Sequence, residues 1–285
     1  MKVNLLRIAQ SPAPLRLGIF LSILLLLWLP KAALIYFIIS STPNGSSPEA
    51  QNWMTILTMG FLFVDFLFLL RFWGRKIYRQ PHLLKRYGLD ASRQNGINLL
   101  KGLGFGLLQT FILFGLQGVL GWLVWQSPSM PLPRLVLEGS LTALGVGLAE
   151  ELVFRGWLLD ELERDYRPHV ALWVSAAVFA SLHFIKPLSE VIRMFPQFPG
   201  LLILGLMLVW AKRSHGGSLG ISIGIHAGLV WGYYIISVGN LIQYSGAVPE
   251  WITGIDRNPL AGVMGVLLLA VAALGIKRLA RSRSS

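Results

Sequence analysis

The chain reads as a succession of long apolar runs separated by short polar breaks rich in Pro, Gly and Ser. A helix needs about 20 mostly apolar residues to cross a hydrocarbon core about 30 Å thick. By that rule, spans are expected near residues 17–39, 53–73, 97–125, 134–158, 169–186, 199–212, 218–238 and 259–276, of which the fifth and sixth are the shortest. The breaks carry turn chemistry. The segment from Ser40 to Ser47 reads S-S-T-P-N-G-S-S, and Pro128, Pro131 and Pro133 part the third span from the fourth. Pro187, Pro196 and Pro199 bracket the next link, and Gly216-Gly217 leads into the seventh span. The first apolar run is longer than the 7–15 residues or so of a signal-peptide core, and is read as a retained span. There is no internal repeat and no long linker. The expected fold is an all-α, polytopic transmembrane bundle of about eight spans, with residues 1–285 forming a single integral membrane domain.

Composition agrees with this pattern. Apolar residues make up 54% and charged residues 13% of the chain, against roughly 45–50% and 25% in soluble domains. The absence of Cys excludes a disulfide framework, a thiolate metal site and a Cys nucleophile. A net charge of +12 suits either nucleic acid or an anionic membrane surface, and the placement of the charges decides for the lipid bilayer and against nucleic acid. With the N-terminus in the cytoplasm, 20 of the 25 Lys and Arg fall on the cytoplasmic side, from Lys2 to Arg283, while only Lys31, Arg134, Lys186, Arg193 and Arg257 fall on the other. That is the positive-inside pattern. It puts both termini in the cytoplasm, and the expected location is the plasma membrane of a bacterium. The basic segment 71–93, which includes Tyr78, Leu83, Leu84 and Tyr87, is either a solvated loop or a short helix on anionic headgroups.

Ionisable side chains inside a span cost at least about 2.5–3.5 kcal/mol each near the helix centre, which marks them as functional candidates. The fourth span holds Glu150, Glu151 and Arg155. Glu151 and Arg155 stand at i and i+4 and share a face, so they can pair. Glu150 lies about 140° from Arg155 around the axis. It is left without a local counter-ion, and burial of that kind strengthens a carboxylate as a base. If the helix continues to Pro168, Glu150 lies about 25 Å above its cytoplasmic end. The competing interpretation is a charge pair near a helix end with Glu150 in the interface. Two histidines weigh against it: His183 in the fifth span and His226 in the seventh, each in an apolar, small-residue setting. Polar groups in a bilayer find their partners inside the bundle, which would draw these three spans together. Glu150, His183 and His226 are also a conceivable set of zinc ligands. Asp65, Gln109, Gln117 and Glu138 are the other intramembrane polar residues. Asp65 is read as a cap or an interhelical hydrogen-bonding group. His82, His169 and His215 lie in or beside loops.

The motifs E-E-x-x-x-R at Glu150, Glu151 and Arg155, F-x-x-x-H at Phe179 and His183, and the later His226 resemble the CAAX protease and bacteriocin-processing family (CPBP, or Abi). That family includes the type II CAAX prenyl endopeptidases. The resemblance covers residues 139–239, the expected family core. It implies a helical intramembrane fold with a cavity open to the cytosol and hydrolysis of a peptide bond without a cofactor. The substrate it implies is a peptide or a lipidated protein C-terminus. Glu150 would activate water with help from His183, Glu151 and Arg155 would be a structural pair, and His226 would stabilise the oxyanion. The chain departs from the family at one place. Val230 stands where the motif H-x-x-x-N/D has its polar residue, and loss of such a donor costs about 2.7–4 kcal/mol of transition-state stabilisation. Asn240 is on a similar face but about 21 Å along the axis. The alternative function is a non-catalytic membrane scaffold or transporter-associated protein that keeps the fold.

Overall fold

The computed structural model describes residues 5–282; Lys2 and Arg283, both counted in the charge asymmetry, lie outside them. The chain forms two compact units that divide between Arg86 and Tyr87.

The first unit contains α1 (Leu5–Gln10), α2 (Ala13–Ser40), α3 (Pro48–Lys76) and α4 (Leu83–Arg86). The polar stretch after α2 ends it, and Ser47 starts α3 by accepting a hydrogen bond from the Ala50 amide. Phe20 packs edge-on against Phe66 and Trp73, joining α2 to α3. Asp65 forms an interhelical ion pair with Lys31 at 2.5 Å. Lys31 therefore belongs inside α2 and is not a loop charge. The basic segment after α3 holds only the four-residue α4.

The second unit contains α5 (Arg93–Val119), β1 (Leu123–Trp125), α6 (Leu132–Glu151), a π-helical segment (Leu152–Leu158), α7 (Leu159–Glu163), α8 (Pro168–Leu182), α9 (Leu188–Met194), α10 (Phe198–Ser214), α11 (Leu219–Val238), β2 (Ile242–Tyr244), α12 (Glu250–Thr253) and α13 (Val263–Ser282). The third span stops at Val119, short of the expected residue 125. The chain turns at Gly121 (φ +72°) into β1, which pairs antiparallel with β2. α6, the π segment and α7 form one continuous rod of 32 residues. Among the described residues, 7 helical stretches are long and apolar enough to cross a membrane, and α8 is a shorter apolar helix beside them. The protein is an integral, multi-pass membrane protein.

Contacts within the second unit fix the direction of its helices. Gly102 lies against Ile221–Ile225, Gly106 against Ile225–Leu229, and Thr110 against Gly232, so α5 and α11 run parallel. Gly139 lies beside Trp231 and Tyr234, and Gly147 beside Ile223 and Ala227, so α6 runs antiparallel to α11. The chain turns directly from α10 into α11 through Gly216 and Gly217, both at positive φ. α6 and α10 therefore run the same way, and α8 must carry the chain back between them. With 15 residues it is about 22 Å long. The glycines are what allow this packing: a Cβ at Gly224 or Gly228 would collide with the Leu99 or Leu103 carbonyl. Small residues four apart let helix backbones approach closely where no hydrophobic effect drives them together.

Candidate active site

The site is built around the middle of the α6–α7 rod. Glu151 is completely buried. Its Oε1 accepts a hydrogen bond from Arg155 Nη1 at 2.9 Å and lies 2.9 Å from His226 Nδ1 on α11. Arg155 is equally buried; its Nη2 donates to the Gly205 carbonyl at 3.3 Å, and its guanidinium lies over the Phe179 ring at 4.2 Å. The i, i+4 pair expected from the sequence is present, and His226 joins it from the seventh span, as partnering of the buried polar groups inside the bundle requires. A charge pair this deep persists only when its partners are in place, because removing one of them leaves an uncompensated buried charge.

Arg155 sits in the π segment, where the wider turn leaves carbonyls without their α-helical partners. Two side chains take them up. Ser175 Oγ on α8 donates to the Phe154 carbonyl at 3.2 Å, and Lys212 Nζ on α10 donates to the Arg155 carbonyl at 2.6 Å. π segments inserted in α-helices are frequent at functional sites. Lys212, whose context W-A-K-R-S is that of an ordinary basic helix end, reaches into the bundle instead. Arg155, one of the 20 charges on the cytoplasmic side by sequence, is an interior residue.

Glu150 points elsewhere, as the helical geometry required. Its side chain is 31% exposed, and its Oε2 has no hydrogen-bond partner and stands 3.8 Å from His226 Nε2. It faces a cavity of about 240 Å³ whose lining also includes His183, His226 and Phe179. His183 ends α8; its Nδ1 is 2.8 Å from the Phe179 carbonyl and its ring stands edge-on to Phe179. The structure thus brings Glu150, His183 and His226 to one cavity. The rod continues 13 residues past Glu150 to Glu163, as a long fourth helix requires.

Around these groups the lining is mainly apolar, with Leu113, Val146, Leu201, Leu204, Leu268 and Leu269. Val230, one turn beyond His226, faces the cavity as an aliphatic side chain. Sequence reasoning gave no role to Gln109, Thr110, Gln197 or Asn258, which also line it. Of these, Gln109 alone had been noticed, as a polar residue within a span. Among the described residues, no three His, Asp or Glu side chains are grouped to hold a metal ion.

The fold and site are those of a multi-pass helical membrane protein with a Glu-Glu-Arg-His cluster beside an internal cavity. Residues 132–232, which carry every motif of the cluster, match the family model Type II CAAX prenyl endopeptidase Rce1-like. The matched segment is about a third of the chain, and over it the protein is similar to that CAAX-type family. No curated protein and no solved structure matches the chain.

Proposed function

We propose that the protein is an intramembrane endopeptidase in which Glu150 activates water. The observation that carries this reading is the division of labour between adjacent carboxylates. Glu151 is engaged by Arg155 and His226, while Glu150 presents an unpartnered oxygen to the cavity. Glu150 and His183 both line the cavity, and in this reading the attacking water is held between them. That water attacks the scissile carbonyl and its proton passes to Glu150. A positioned base of this kind contributes about 10²–10⁴-fold. Collapse of the tetrahedral intermediate expels the amine, which takes the proton from Glu150.

In this reading Glu151 selects the tautomer of His226. An ionised carboxylate only accepts, so Nδ1 carries a proton, and Nε2 donates to an oxyanion only when the ring is imidazolium.

The apolar lining suits an apolar side chain or a prenyl group, so the proposed substrate is a peptide or lipidated protein C-terminus reached from the bilayer. The proposed setting is a bacterial plasma membrane with both termini in the cytoplasm. Val230 is the observation that favours the alternative of a non-catalytic scaffold. The test is cleavage by detergent-purified protein of peptides with and without a C-terminal prenyl group, with products mapped by mass. A new peptide carboxylate supports the protease. Loss of cleavage with chelator, restored by zinc, would replace the metal-free mechanism.

A further inference from the structure

A carboxamide that no protein group satisfies faces the same cavity. Gln109, in the middle of α5, is only 9% exposed, and its Oε1 has no hydrogen-bond partner. It lines the cavity with Glu150, His183, His226 and Val230. A buried polar group without a partner costs about 1–3 kcal/mol, so packing alone gives no reason for an amide here. The next residue is satisfied in the ordinary way, since Thr110 Oγ1 donates to the Gly106 carbonyl at 3.1 Å.

The position of Gln109 follows from the glycine contacts. α5 and α11 run parallel, with Gly106 against Gly228 and Thr110 against Gly232. In that register Gln109 lies level with Trp231, within about 1.5 Å of the height of Val230. Side chains on a helix lean toward its N-terminus. Those of Gln109 and Val230 therefore both lean toward the level of His226. Gln is one methylene longer than Asn, which offsets its origin on the neighbouring helix. The other carboxamides at the cavity, Gln197 and Asn258, come from the connections before α10 and α13. Asn258 Oδ1 accepts from the Leu260 amide at 3.0 Å, which ties that side chain to its own connection.

We propose that Gln109 supplies the oxyanion-binding N–H that Val230 cannot. The inference rests on the protease reading. As water adds, the carbonyl π pair moves onto oxygen, the water proton goes to Glu150, and the Gln109 N–H donates a hydrogen bond to the oxyanion without transferring its proton. Unlike the His226 Nε2, a carboxamide donates whatever the protonation state of the site.

The test is steady-state kinetics of the full chain on a peptide the wild type cleaves, with Glu150→Gln alongside. Gln109→Leu is expected to lower kcat about 10²–10³-fold with KM little changed. Val230→Asn in the same chain is expected to restore most of the loss. Gln117→Leu removes another buried, unpartnered amide, one that does not line the cavity, and should keep the wild-type kcat. Gln109→Met replaces the Leu variant if thermal unfolding shows that Leu disturbs the fold. Wild-type kcat in the Gln109 variant, or a loss that Val230→Asn leaves unrestored, overturns the proposal. If the Gln109 variant is active and Glu150→Gln is not, Gln109 falls and the protease stands. If the wild type cleaves nothing, both fall.

Discussion

Adjacent residues of the same chemistry have opposite fates here. Glu150 and Glu151 differ by 100° of helix, and that rotation sends one to the cavity and the other into a closed set of contacts with Arg155 and His226. The sequence showed half of this arrangement, because i, i+4 spacing is a local property. The link from Glu151 to His226 joins positions 75 residues apart, and only the packing of α11 on α6 makes it. Arg155→Met leaves Glu151 buried without its cation. It is expected to destabilise the folded protein by about 3–5 kcal/mol, read as a lower unfolding temperature in detergent. Stability equal to the wild type would show that the pair does not hold the site.

At the level of elements, the helices of the site are held by features that hydropathy cannot rank. Apolar run length placed the spans because lipid imposes a length. It did not reveal the π segment, whose freed carbonyls are taken by Ser175 and Lys212. Nor did it pair α5 with α11. The glycines at 102, 106, 220, 224, 228 and 232 recur every four residues on both helices, and that spacing was a legible signal for the contact. Gly228→Leu would push the Leu103 carbonyl away and separate Gln109 from the site. The expected result is little folded, monodisperse protein on gel filtration in detergent, whereas Gly104→Leu, at a position with open space around it, should behave as wild type. Equal behaviour of the two variants would contradict the close parallel packing.

For the second unit as a whole, charge and cavity lie at opposite ends. Arg93, Arg164, Arg167, Lys212, Arg213 and Arg281 cluster where α5 and α11 begin and α7 and α10 finish. The cavity runs from Glu150 toward the other end, past Tyr233 on α11 to Gln197 and Asn258. By the positive-inside rule the basic end would be cytoplasmic, which would set the cavity toward the opposite face. The family resemblance implied a cavity open to the cytosol, and the two expectations cannot both hold. The chain has no Cys, so single cysteines report sidedness cleanly. In intact cells a membrane-impermeant maleimide is expected to label Ala247→Cys, at the cavity end, and not Arg167→Cys, at the basic end. The reverse pattern would restore the cytosolic cavity and overturn the charge-based orientation.

The central claim is that Glu150 is the base, and Glu150→Gln tests it most directly, because it preserves size and hydrogen bonding while removing the charge. On a pooled peptide library, with and without a C-terminal prenyl group, the wild type should cleave. The variant, with an unchanged unfolding temperature, should lose at least about 10²-fold in kcat. Equal cleavage by the two proteins would contradict the account.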